Sequence, residues 1–153
     1  MTGTSAGSRI AGEPGPRRFG WAWVGLALVL GAHVADEALT NFLSVYNPAV
    51  QAVRQRASWI PLPTFTFPVW LGGLILLVTI LLLLSPFAFR GAWWVVWLAY
   101  PLSAIMLLNG LGHVAGTIYL RRPMPGVYSS PLLLAAASYL LVQAAHWKGS
   151  KAR

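Results

Sequence analysis

Two stretches of this sequence carry histidine with carboxylate or amide side chains in otherwise apolar surroundings. The first contains His33, Asp36 and Glu37, and the second contains Asn109 and His113. At about 100° per residue, His33 and Glu37 lie one turn apart on a helix, with Asp36 on the same side. Asn109 and His113 have the same spacing of one turn. The two stretches can therefore form a single site if their helices are neighbours.

Two chemistries suit these side chains. Two imidazoles and a carboxylate are ligands for a divalent metal such as zinc or iron, with His33, Glu37 and His113 as the candidate ligands. The sequence has no cysteine, so thiolate sites are excluded. Without a metal, the same three residues together with Asp36 could act as catalytic acids and bases. A third interpretation is that they only hydrogen-bond two helices together.

The acidic residues are costly because they interrupt an apolar segment. An Asp at the centre of a membrane span costs about 2.5–3.5 kcal/mol, and a second acid doubles the cost to about 5–7 kcal/mol. The apolar side chains of the same segment return only about 3–5 kcal/mol. We therefore expect Asp36 and Glu37 to need polar partners on another helix.

The segment around Asn109 and His113 is the predicted partner. Its helix would run in the same direction as the first, and alignment of their tryptophans places Glu37 level with Asn109, and Asn41 level with His113. Asn41 and Asn109 are accordingly predicted to support the site.

Glycines near His113 suggest how the two helices could approach each other. Gly112 and Gly116 form a pattern of small residues four apart. Such a face allows close approach of a neighbouring backbone in membranes. We expect it to face the first span.

Composition places these helices in a membrane. Of the 153 residues, 57% are hydrophobic and 9% are charged, whereas soluble domains have roughly one quarter charged residues. Apolar runs near the roughly 20 residues that cross a bilayer predict an all-α, polytopic protein, a four-transmembrane-helix bundle. The predicted membrane domain is 19–147, and its approximate spans are 20–45, 67–89, 92–120 and 126–147.

The remaining segments are predicted to be tails and one long connection. Residues 1–18, rich in Gly, Ser and Pro, are predicted to be a disordered tail, and 148–153 a basic one. The connection 46–66 is either a lid over the site or an ordinary surface loop.

The basic residues indicate orientation. They lie at the ends of apolar runs and form no stripe, which argues against nucleic acid as a partner. Seven share the side of the amino terminus: Arg9, Arg17, Arg18, Arg90, Lys148, Lys151 and Arg153. Four lie on the other side: Arg54, Arg56, Arg121 and Arg122. The positive-inside rule then predicts that both termini are cytoplasmic, and the site lies in the outer half of the bilayer.

The first polar stretch resembles the motif of the HXXEE family of small bacterial membrane proteins, reading His33-Val34-Ala35-Asp36-Glu37 with Asp in place of the first Glu. The family's later histidine is similar to His113. Its Tyr-x-Pro-Gly element is similar to Pro123-Met124-Pro125-Gly126, where Pro123 replaces the tyrosine. The resemblance covers roughly residues 20–145 and implies a bacterial cytoplasmic membrane location and a shared polar site.

Three functions remain open at this point. The first is an enzyme, metal-dependent or acid/base, that acts on a lipid-soluble substrate with Glu37 as base or ligand. The second is a proton-coupled transporter or channel in which Asp36 and Glu37 change protonation, and which would need to oligomerise to build a path. The third is a non-catalytic membrane partner subunit.

Overall fold

The computed structural model describes residues 15–151, with side chains described for residues 15–147. This part of the chain is all-α. Its helices are α1 (Pro16–Leu39), α2 (Leu43–Arg56), α3 (Phe67–Leu83), α4 (Ser85–Phe89), α5 (Trp93–Leu120) and α6 (Ser130–Lys151). The predicted tail 1–18 lies outside the described residues up to residue 14, whereas residues 16–18 form the first turn of α1. Of the predicted tail 148–153, residues 148–151 belong to α6, and 152 and 153 lie outside the described residues.

Helix α1 buries one continuous stripe along its length. Its buried members recur every three or four residues, the spacing of one helical face: Phe19, Trp23, Leu26, Leu30, His33 and Glu37. The same face that packs the core at one end therefore carries the polar residues at the other. The indole of Trp23 donates a 2.7 Å hydrogen bond to the carbonyl of Leu81, which fixes α1 against α3.

Helix α1 ends sooner than the predicted span 20–45. Asn41 has a left-handed backbone with φ of 58°, and the amide of Phe42 donates to the carbonyl of Glu37 at 3.0 Å. This six-residue closure is a Schellman-type helix end, which favours Gly or Asn in the left-handed position. Glu37 therefore lies in the last turn of α1, and the chain changes direction at Asn41.

The predicted connection 46–66 is largely helical. Helix α2 covers residues through Arg56 and includes Pro48, and the segment that follows is anchored back to it. The side chain of Asn47 donates to the carbonyl of Phe65 at 2.9 Å and accepts from the amide of Phe65 at 3.1 Å. The prolines of this segment predicted an irregular connection, but the stretch between Pro48 and Pro61 contains no proline and can form a helix.

Helix α6 lies between α1 and α5. It packs along both α1 and α5, whose backbones make little direct contact. Its buried stripe consists of Leu133, Ala137, Leu140 and Ala144. Helix α5 supplies the predicted polar partner for Glu37 through the side chain of His113, although α6 lies between the backbones of α1 and α5.

The glycines of α5 also differ from expectation. Gly110 is the one that meets α6, since a Cβ there would lie 2.8 Å from a side-chain carbon of Leu134. Around Gly112 a Cβ would meet nothing within 4 Å, and Gly116 faces Met124. The predicted contact of Gly112 and Gly116 with α1 is not formed, because α5 turns its other face toward α1 and α6.

Three of the described helices are long and apolar enough to cross a membrane: Pro16–Leu39, Phe67–Phe89 (α3 with α4) and Trp93–Leu120. The Phe67–Phe89 segment has a mean hydropathy of 2.6 and is barely buried inside the molecule. In water, such a face would be an exposed apolar patch far larger than monomers usually tolerate. Three of the four predicted spans are thus supported by length and composition, and α6 is not among them.

Candidate metal centre

The side chains of His33, Glu37 and His113 converge at the end of the bundle where α1 finishes. One potential ligand atom from each lies within 4.8 Å of the other two, and all three residues are buried. Glu37 Oε1 is 3.0 Å from His113 Nε2 and 3.6 Å from His33 Nε2. The two imidazole rings meet edge to face with centroids 4.9 Å apart. The prediction that these three residues lie close enough to bind a metal is confirmed.

Two of the three donor separations are close to those expected around one shared ion. Two ligands bound tetrahedrally at about 2.0–2.2 Å are separated by roughly 3.3 Å, and the observed separations of 3.0 and 3.6 Å lie on either side of that value. Although His113 Nε2 is close to Glu37, neither ring nitrogen of His113 has a hydrogen-bond partner. The imidazole and the carboxylate are thus close without being aligned for a hydrogen bond, as expected of two groups directed at a third atom.

A serine that the sequence did not single out holds His33 in place. Ser129 donates its hydroxyl to Asp36 Oδ2 at 2.7 Å, and its amide donates to the same oxygen at 2.9 Å. Its Oγ also lies 2.8 Å from His33 Nδ1. Because the hydroxyl proton is engaged by Asp36, Oγ accepts from His33 Nδ1–H. That tautomer leaves His33 Nε2 unprotonated, with Asn109 Nδ2 at 3.3 Å and Glu37 Oε1 at 3.6 Å. Hydrogen-bond partners fix the tautomer of metal-binding histidines in the same way.

Asp36 therefore supports the site from outside the cluster. It was predicted as a catalytic residue, but its carboxylate is directed at the start of α6. The reason is its position about 100° around α1 from Glu37, which turns it toward α6 while Glu37 faces α5. The positive end of the α6 dipole and the Ser129 amide both stabilise an acid at this place.

Only one of the two asparagines predicted to support the site lies beside it. Asn109 lies beside it, with Nδ2 3.3 Å from His33 Nε2. Asn41 does not join it, because α1 has already ended and the left-handed residue is exposed. The predicted register is also wrong by one turn: His33 is level with Asn109, and Glu37 with His113. Alignment of tryptophans could not resolve one turn, since α5 is longer than a span requires.

Gly126 is a second residue whose role the sequence did not reveal. It has φ of 85° in the turn before α6. A Cβ there would lie 2.7 Å from His113 Cε1 and 3.0 Å from Glu37 Cγ. The turn therefore closes directly over the site, and only glycine fits. The Pro125-Gly126 pair predicted a turn, whereas its contact with the site depends on the packing of α6.

The sequence around Ser129 indicates the start of a helix but not a contact with the site. Two serines followed by a proline and an apolar run are typical of a helix start, and α6 does begin at Ser130. The hydroxyl of Ser130 turns back to the carbonyl of Gly126 at 2.8 Å. Nothing in the spacing distinguishes the serine that reaches the site from the one that stabilises the turn.

Comparison with known proteins identifies the family of the chain. A family model described as a protein of unknown function with an HXXEE motif matches residues 23–141, well over half of the chain. No curated protein and no solved structure gives a significant match. The matched region contains each side chain of the cluster and both outer-shell residues, Asp36 and Ser129. The chain belongs to the HXXEE family.

Proposed function

We propose that this protein is an integral membrane enzyme with a divalent metal centre formed by His33, Glu37 and His113, acting on a lipid-soluble substrate. The observation that carries the proposal is the convergence of three buried ligand atoms within 4.8 Å. Buried ionisable groups in membrane segments are costly and are usually functional. Zinc and iron both suit a set of two imidazoles and one carboxylate.

The number of ligands favours catalysis over a purely structural metal. Structural zinc sites usually have four protein ligands, whereas catalytic sites have three and keep one position open. A metal held here would supply Lewis acidity to a bound substrate oxygen. The chain's own residues orient the site: Ser129 and Asp36 fix the His33 ring, and Gly126 covers one side of it.

The membrane arrangement belongs to the same proposal. We place α1, the α3–α4 segment, α5 and α6 as four spans in the bacterial cytoplasmic membrane, with both termini in the cytoplasm. Support comes from the three apolar helices, from the central packing of α6 against two of them, and from the distribution of arginine and lysine. The site would then lie near the outer surface, where α1 and α5 end.

Metal analysis of the purified full-length protein tests this function. After purification in detergent without chelators or a histidine tag, we expect about one equivalent of zinc or iron per chain, and its loss in Glu37→Gln. His146→Ala is the matched control, because His146 lies in the part of α6 far from the site. Absence of stoichiometric zinc, iron and manganese from the intact protein would contradict the metal centre.

A proton-coupled carrier is the second candidate, favoured by one specific observation. Asp36, Ser129 and His33 form a continuous chain of proton-exchanging groups, and His33 lies close to Glu37, which lies close to His113. Such a chain can relay protons without a metal. Proton flux into liposomes that contain the protein, abolished by Glu37→Gln, would favour this candidate over the enzyme.

A further inference from the structure

A small pocket opens beside the cluster. It has a volume of about 210 Å³ and is lined by Phe42, Leu108, Asn109, Gly112, His113 and Met124. Most of this lining is apolar, and the polar groups are the amide of Asn109 and the ring of His113. The pocket therefore combines an apolar wall with a polar end at the site.

His113 forms the buried end of the pocket. Its exposed fraction is 2%, and neither of its ring nitrogens has a hydrogen-bond partner. The ring lines the pocket, but both nitrogens are covered, and Nε2 is the atom assigned to the metal centre. The amide of Asn109 is therefore the polar group that a ligand in the pocket can reach directly.

The mouth of the pocket lies on an apolar face of α5. Leu108 is 71% exposed, and Gly112, one turn further along, is exposed as well. Ile105 and Leu111 are exposed on either side of them. Since α5 is one of the three helices able to cross a membrane, this mouth would open toward lipid chains.

The opposite wall is built by two residues that the turns bring in. Phe42 follows the end of α1, and its ring centroid lies 5.5 Å from that of His113. Met124 is fixed by its amide, which donates to Thr117 Oγ1 at 2.9 Å. The pocket is smaller than the about 300–1,000 Å³ of sites that enclose a whole drug-sized ligand. It therefore suits the polar end of a longer molecule with the first part of its chain.

We propose that this pocket binds the polar end and adjoining hydrocarbon of a single-chain amphiphile, which enters sideways from the bilayer between α5 and Phe42. This inference rests on the proposed function, since it names the substrate class of the same site. The chain of the amphiphile lies along Leu108 and Met124, and its oxygen reaches the amide of Asn109 beside the His113 ring. The apolar mouth of the pocket would not favour entry of a water-soluble substrate.

Gly112 offers a way to block the pocket while the fold is kept. A Cβ at Gly112 would meet nothing within 4 Å, so Gly112→Leu places its side chain in open space at the pocket wall. Gly72→Leu is the matched control, because Gly72 is also helical and exposed, its Cβ would likewise meet nothing within 4 Å, and it does not line the pocket. Gly112→Val provides a second, smaller block. Circular dichroism and gel filtration verify that each variant folds.

The experiment is photo-crosslinking of the full-length protein in phosphatidylcholine nanodiscs with a C16 fatty alcohol that carries a diazirine near its hydroxyl end. We expect mass spectrometry to map the label to Phe42, Leu108 or Met124. Gly112→Leu should reduce labelling of these residues by about tenfold, equivalent to about 1.4 kcal/mol, and Gly112→Val less. Gly72→Leu should leave it unchanged. The corresponding diazirine alkane, which lacks the hydroxyl group, should label these residues more weakly.

Other outcomes overturn the proposal. Labelling that spreads over the exposed face of α3 and ignores Gly112→Leu would mean bulk lipid contact only. Equal labelling by the alcohol and the alkane would remove the role of Asn109 in recognising the hydroxyl group. The metal content of each variant is measured separately. Pocket-specific labelling in a protein without metal would support this inference and contradict the metal centre. A protein that binds metal but shows no such labelling would contradict this inference and support the metal centre.

Discussion

Glu37 Oε1 and His113 Nε2 lie 3.0 Å apart although they belong to helices whose backbones make little direct contact. The approach is possible because α6 holds α1 and α5 side by side, and because the turn before α6 has no side chain at Gly126 to separate the two residues. The cluster thus depends on three helices: α1 and α5 supply its side chains, and the turn before α6 supplies Ser129.

Loss of either candidate histidine ligand should weaken metal binding strongly. We expect His33→Ala and His113→Ala to lower zinc affinity by more than the about 10- to 100-fold typical of an outer-shell residue. Competition with a fluorescent zinc chelator measures this in detergent. His146→Ala should bind zinc like the wild type, and a similar loss in that control would point to a general effect of removing histidine.

Variants of Ser129 and Ser130 should distinguish an effect on metal binding from an effect on the stability of the turn. Ser129→Ala removes the acceptor that fixes the His33 tautomer, so we expect zinc affinity to fall by about 10- to 100-fold. Ser130→Ala removes a hydrogen bond to Gly126 outside the cluster, and should cost about 1 kcal/mol of stability with little change in zinc affinity. Unchanged zinc affinity in Ser129→Ala would show that the serine does not position His33.

Gly126→Ala should damage the site directly. Its left-handed backbone disfavours alanine by about 1–2 kcal/mol, and the added methyl group would press against His113 and Glu37. Gly91→Ala is a matched control, since Gly91 has φ of 62° but contacts the Trp147 side chain. Both variants should unfold at lower temperature than the wild type, whereas only Gly126→Ala should bind zinc more weakly. Equal zinc affinity in the two would contradict the contact between this turn and the cluster.

Asn41 should behave as a helix end and not as a site residue. Glycine adopts the left-handed conformation more readily than asparagine, so Asn41→Gly should preserve both thermal stability and zinc binding. Asn41→Val, with a β-branched side chain, should lose about 1–2 kcal/mol of stability. Loss of zinc binding in Asn41→Gly would show that Asn41 does contribute to the site.

The sequence predicted the three residues of the cluster better than the residues that hold them in place. His33 and Glu37 could be identified because their spacing puts them on one helical face and because lipid penalises an unpartnered acid. His113 followed from the need for a partner. Ser129 and Gly126 could not be identified, because their roles arise from the insertion of α6 between α1 and α5, and nothing in the local pattern encodes that packing. The same limit explains the register error of one turn and the misplaced glycine face.

The fold shows a similar division. Long apolar runs predicted α1, α3, α5 and α6 approximately, whereas most of α2 lies in the segment that was predicted to be a connection. The helix ends differ from the prediction where a single residue ends a helix. Asn41 is an example, because its left-handed backbone ends α1 before the predicted end of the span. Asn41 was assigned to the site by continuing the helix past its end, so a wrong boundary produced a wrong site residue.

X-ray absorption at the zinc edge of the full-length, zinc-loaded protein tests the metal centre most directly. We predict one zinc per chain with nitrogen and oxygen ligands at about 2.0–2.1 Å, and scattering from two imidazoles that falls to one in His113→Ala and in His33→Ala. A protein that binds no zinc, or a spectrum that is the same in the wild type and in both histidine variants, would contradict it.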